Sequence, residues 1–343
     1  MSDVRLSGGE GDGAAQLLVS ARARVSAAAA ELALPQALRL SDRQRTTILS
    51  LLGNLVRSVE DALRAELAGA APDDALQAAL SSAHVEIAVP ILAGDTARAD
   101  PALIDLLLRR AEEHRLHRAA AGENALLVEL AGNADEAVAR EAMALLIAQN
   151  GRFDGFGEPV LPRSDLPAEL EHLLVWTVAA ALRRYMIGCH GADPALSDAA
   201  VAAAASRVLA GHDEGETVEA HAMRLALALQ AAGELDGEGL LPRAVSEGGL
   251  PLFLALTALR TGLGVAAIWE LLSAGSGFVL LLRAAGLSRG EAAAILLAWG
   301  LPEPALAAAL DRLDGTSVDA AHALLTLWRA DPGYRAAVAR LAP

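Results

Sequence analysis

Of the 343 residues, 54% are hydrophobic but only 3% aromatic, which predicts a large core built from Ala and Leu, the best apolar helix formers, and not from the β-branched and aromatic residues of sheets. The net charge of -15 repels nucleic acid and anionic membrane. All 28 basic residues are Arg, so chemistry that needs a Walker, Schiff-base or kinase-type lysine is excluded. The single cysteine, Cys189, rules out an internal disulfide, a four-thiolate zinc site and a cysteine-ligated iron–sulfur cluster. The first residues carry no apolar leader core. The longest charge-free apolar runs, near 173–182 and 271–282, are shorter than the ~20 residues that span a bilayer. Together these features predict a cytoplasmic protein with no membrane insertion, no nucleic-acid partner and no cofactor.

In chain order, residues 1–13 are acidic and Gly-rich and read as a disordered tail. N-terminal helices are expected over 14–70. The first is Ala-rich, runs over 14–34 and is stopped by Pro35. The second starts at Ser41-Asp42-Arg43-Gln44, a capping-box pattern. Ile48, Leu52, Leu55, Val59, Leu63 and Leu67 then recur at helical spacing. Its opposite face would carry Arg57, Glu60, Asp61, Arg64 and Glu66.

Residues 71–150 show an internal repeat. The stretch from Pro101 through Glu112-Glu113 to Ala121 matches the stretch from Asn124 through Asp135-Glu136 to Ala144 at a shift of 23 residues. A poorer copy runs from Pro72 to Leu92. Each copy is read as a short helix, an acidic turn and a second short helix, units that bury their apolar faces only by stacking.

Residues 151–167 break the helical pattern with three prolines, Phe153 and Phe156, and are expected to form a linker loop pinned by its aromatics. Asp165 should cap the following helix, which carries Leu170, Leu173, Leu174, Trp176 and Val178 to about residue 187. Residues 168–343 form the C-terminal helical region. Its helices are expected over 197–210, 216–232, 238–247, 250–261, 264–274, 277–285, 288–299, 303–313, 317–329 and 332–341. Ser288-Arg-Gly-Glu291 is a second capping box. Trp176, Trp269, Trp299 and Trp328 lie in apolar helices and should pack between them. The predicted fold class is therefore all-α, with short helical-hairpin repeats in an α-solenoid-like array followed by a C-terminal helical bundle.

Residues 75–300 resemble an uncharacterised family of bacterial all-helical proteins, a domain of unknown function. The features that carry the likeness are the repeat with Glu112-Glu113-His114-Arg115-Leu116, the turn Leu259-Arg-Thr-Gly-Leu263, and Leu281-Leu-Arg-Ala-Ala-Gly-Leu287. The repeat is also similar to HEAT-like and leucine-rich-variant repeats. The resemblance implies a helical-repeat fold and brings no catalytic residue with it.

The densest polar cluster is Arg109, Arg110, Glu112, Glu113, His114, Arg115, His117 and Arg118. Guanidinium forks bind carboxylates and phosphates in bidentate fashion. Arg109, Arg110, His114, Arg115, His117 and Arg118 are accordingly the candidate partner- or anion-binding residues. His114 and His117 sit three residues apart with Glu113 beside them. Only one Glu-x-x-His motif, Glu169 to His172, is present, where a di-iron bundle needs two. Cys189 and His190 are neighbours in sequence, a spacing that does not aim a base at a nucleophile. The expected function is a non-enzymatic scaffold, adaptor or regulator that holds a protein partner, with homo-oligomerisation through Ala/Leu faces. The alternatives are a sensor for a small anionic ligand such as a nucleotide, and an enzyme whose site is dispersed along the chain.

Overall fold

The computed structural model describes residues 40–68, 74–82, 85–92, 100–120, 124–273 and 276–341. The tail expected over 1–13 and the helix over 14–34 lie outside them. Met1–Thr47 and Ile48–Pro343 separate as two compact units. The described part of the first unit is the 40–47 stretch. Here Ser41 and Gln44 form the expected reciprocal capping box at the start of helix α1, Asp42–Ala68.

In the second unit, α1 buries Ile48, Leu51, Leu55, Val59, Leu63 and Leu67, nearly the predicted stripe. Arg57, Asp61 and Glu66 face solvent as expected. Glu60 and Arg64 do not, since both are buried. They follow Val56 at four-residue steps, so they share the phase of the apolar stripe. Arg64 donates to the carbonyls of Ala79, Leu80 and Ser82 at the end of α2, Asp74–Ser81, and to Val85. Glu60 accepts from the backbone amides of Ile87 and Ala88, where α3, Ala88–Leu92, begins. The guanidinium thus satisfies orphan carbonyls and the carboxylate satisfies orphan amides, and the two charges pair with each other at 3.1 Å.

The two copies of the expected repeat fold differently. The first copy is one continuous helix, α4, Pro101–Ala119, with Glu112 and Glu113 in its middle. The second copy is the expected hairpin, α5, Ala125–Ala131, and α6, Glu136–Asn150, with Asp135 capping α6. The difference lies at the positions aligned in sequence. Gly132 and Asn133 stop α5, whereas their counterparts Arg109 and Arg110 are good helix formers that carry α4 onward. In the region of the poorer copy, α2 and α3 are the described helices.

Beyond a loop, the helices fall close to the predicted spans: α7 (Ala168–His190), α8 (Pro194–Ala210), α9 (Val218–Ala231), α10 (Leu240–Arg243), α11 (Leu250–Thr261), α12 (Val265–Ser273), α13 (Ser276–Ala284), α14 (Arg289–Ala298), α15 (Glu303–Asp314), α16 (Val318–Leu324) and α17 (Pro332–Leu341). The expected helix over 238–247 is instead α10 plus a single π turn, Ala244–Gly248. The fold is all-α. The one extended pairing among the described residues is an isolated bridge between Phe153 and Pro159. Helix α11 is buried on nearly every side, as an apolar helix without a polar face must be. No single described helix is long and apolar enough to cross a membrane.

Two hydrophobic cores result. One gathers α1 to α3, the first half of α4, Leu161, Leu166, α7 and α8. The other gathers α5, α6 and α9 to α16. Helix α4 serves both. Leu103, Leu106, Leu107 and Ala111 enter the first core and Leu116 the second. The candidate residues lie where it crosses between them.

Candidate functional site

Between the cores, α4 turns Arg110 and Glu113 inward, paired with each other at 2.6 Å. The loop after α6 delivers Arg152, whose side chain is 2% exposed. Arg152 binds Glu113 at 3.0 Å, Asp165 at 2.6 Å and Glu219 at 2.7 Å. Arg110 also reaches Asp165 at 3.2 Å and Glu219 at 3.0 Å, and Arg109 approaches Glu219 at 3.4 Å. Three guanidiniums therefore face three carboxylates, and the charge cancels within the cluster. Burial works against the charge of Arg152, but Glu113, Glu219 and Asp165 outweigh it and hold its pKa above the ordinary arginine value. Burial likewise disfavours the Glu219 carboxylate, yet Arg110, Arg152 and Arg109 hold its pKa well below the ordinary glutamate range. Asp165 does not cap α7, as its sequence position suggested. Its Oδ1 accepts from the Val218 amide instead, so it caps α9 while its Oδ2 binds arginine.

The same loop carries a small hairpin whose root is this cluster. Val160 N donates to Arg152 O at 2.8 Å and Asp154 N to Glu158 O at 2.9 Å. Asp154 Oδ1 accepts from the amides of Phe156 and Glu158, and Gly157 provides the positive φ of 76° that the turn requires. Phe153 stacks on His117 with ring centroids 4.3 Å apart and 25° between planes. Phe156, at the tip, is 94% exposed. The two aromatics expected to pin the loop thus split, one pinning it and the other projecting. Arg118 and Glu158 flank the hairpin 3.7 Å apart.

Beside Phe153 lies a notch lined by Glu113, His117, Asn124, Gln149 and Ser246. It has room for little more than a water molecule. Gln149 Nε2 donates to Gly248 O at 3.1 Å, and Gly249, at φ 86°, lies so close to that amide that a Cβ would meet Nε2 at 2.9 Å. Burial lowers the His117 pKa, partly opposed by Glu113.

Residues 87–326 match the model of an uncharacterised protein family conserved in bacteria, DUF2336. The chain belongs to this family. No curated protein and no solved structure matches. The DUF2336 region contains the whole charge cluster and the hairpin. It begins at Ile87, whose amide Glu60 receives, so α1 contributes its clamp from outside the matched region.

Within this DUF2336 chain the six candidate residues part company. Arg110 and His114 are buried, and the Arg109 side chain is 15% exposed. Arg110 and His114 therefore present little surface to a partner, and Arg109 is partly buried beside Glu219. Arg115 is held bidentately by Glu112 and donates to Trp299 O at 2.8 Å, with much of its side chain still exposed. His117 is half-buried under Phe153, and Arg118 is exposed. Arg152, Asp165 and Glu219 are the functional-region residues that the sequence reading missed. They lie 39 to 109 residues along the chain from the α4 residues they bind. Trp269, Trp299 and Trp328 pack with the second core as expected, but Trp176 and Leu173 face solvent.

Proposed function

We propose that this chain is a non-enzymatic helical scaffold or adaptor that captures a protein partner through the 153–159 hairpin. Phe156 is the anchor, and His117 and Arg118 lie on the hairpin's flank, against Phe153 and Glu158. The observation that carries the reading is a large aromatic side chain almost fully exposed on a turn held by hydrogen bonds on both sides. Such a residue costs little ordering entropy when it enters a partner's pocket, and aromatics are enriched among binding hot spots. Arg109, Arg110 and Arg152 serve as the foundation that sets the hairpin's angle. The alternative of a small anionic ligand finds less support. The guanidiniums it would need already have carboxylate partners, and the adjoining notch is water-sized.

A photo-crosslinking amino acid placed at position 156 in the bacterial host tests the reading. A discrete crosslinked protein is expected from position 156 and none from the equally apolar, exposed Leu297. With that protein purified, Phe156→Ala should weaken binding about 30-fold, the size of a hot-spot truncation, with helicity unchanged. Equal crosslinking at both positions, or unchanged affinity of the alanine variant, overturns the assignment.

A further inference from the structure

Helix α7 presents an apolar face that nothing among the described residues covers. Glu169, Leu173, Trp176, Ala180 and Arg184 recur at steps of four, three, four and four and so share one side. Leu174, Val178 and Leu182 bury the other side. Leu173 is 43% and Trp176 36% exposed. The Trp176 indole N–H donates to His172 on the same helix at 3.1 Å. The charged residues next to the end positions are paired, Glu171 with Arg163 and Arg183 with Asp198. Glu169 and Arg184 themselves are exposed and form no ion pair among the described residues.

We propose that this face is the two-fold contact of a homodimer, in which α7 packs antiparallel against α7 of a second copy with Trp176 and Thr177 at the axis. An isologous interface must be complementary to itself, and this face is. About an axis between 176 and 177, Glu169 falls opposite Arg184 of the second copy, and Arg184 opposite its Glu169. Leu173 falls opposite Ala180, large against small. Trp, the residue type most enriched in hot spots, occupies the centre, where hot spots cluster. The contact from Glu169 to Arg184 is about 22 Å long at 1.5 Å per residue. One helix pair covers less than the roughly 1,200–2,000 Å² of a stable interface. Helix α8, packed beside α7, extends the surface with exposed Leu196, Ala199 and Ala203, and its small side chains let a partner helix approach closely.

Sedimentation equilibrium on the full chain reads the outcome. The wild type should be dimeric. Glu169→Arg and Arg184→Glu should each weaken the dimer about tenfold or more, because each sets like charges face to face at both ends of the contact. Combining the two should restore the wild-type dissociation constant to within about threefold, because the pairs re-form with reversed sign. Glu169 also lies in the first turn of α7, where an arginine opposes the helix dipole. Arg184→Glu cannot repair that local cost, so recovery in the double variant reports pairing between copies. Far-UV circular dichroism should be unchanged throughout. A chain that stays monomeric, a dimer indifferent to either reversal, or a double variant no tighter than the singles overturns the proposal.

Discussion

Arg152 reaches Glu113, Asp165 and Glu219 from a loop and is almost fully enclosed. Replacing a buried ion cluster wholesale with apolar groups can be neutral, but removing one member strands the others. Arg152→Met leaves two guanidiniums against three carboxylates and should cost about 3–5 kcal/mol, read as a lower urea midpoint. The cluster also sets a pH dependence. Glu219 is held below the ordinary glutamate value of 4.5, so its contribution is complete above that pH and is lost as pH falls toward the folded-state value. His117 and His221 move in the same direction by a different route. Burial lowers both, with Arg224 adding to the effect at His221. The unfolded chain therefore takes up these protons first, and stability falls as pH drops through 6.5, the ordinary histidine value. The urea midpoint should decline in two stages. His117→Gln with His221→Gln should flatten the first stage and leave the second. A midpoint constant from pH 7.5 to 5.5 would contradict the histidine argument.

At the scale of elements, the chain reads well wherever local chemistry decides. Both capping boxes form. The helices after 168 match their apolar spacing, since Gly and Pro at their ends act within a few residues. The site was legible only in part. The polar run of α4 is visible in the sequence, but reading all of it as binding contacts leaves out helical phase. Arg110, Glu113 and His114 continue the stripe of Leu103, Leu106 and Leu107, and that spacing was the available signal. Nothing local announces Arg152 or Asp165, because their partners arrive from distant elements. Helix α1 offers a direct comparison. Arg57 and Arg64 looked alike as members of its polar face, yet Arg57 is exposed beside Glu86, while Arg64 closes the α2–α3 connection. Arg64→Met should cost about 3–5 kcal/mol by stranding the buried Glu60 carboxylate and four carbonyls. Arg57→Met should change stability by no more than about 0.5 kcal/mol. Thermal melts of the two variants measure the contrast, and equal losses would mean the clamp adds nothing.

At the scale of the molecule, two apolar cores share α4 and meet at a layer of charge. An apolar seam would merge the cores into one, since hydrophobic contact is non-directional. A charge cluster holds them in one register only, because each guanidinium fork accepts its carboxylates in a fixed geometry. The cooperativity of the fold should therefore pass through Arg152 and α4. In the wild type, α7 and α11, one from each core, should exchange their slowest amide hydrogens with similar protection, as members of one cooperative unit. In Arg152→Met the packing inside each core is intact while the link is cut, so protection should separate. The core built on α1, α7 and α8 should open first, because it has no helix enclosed on nearly every side as α11 is. Hydrogen exchange resolved by peptide tests this, with peptides from α7 losing protection ahead of those from α11. A parallel loss in both would mean that α4 alone couples the cores and that the charge layer only orients the hairpin it supports.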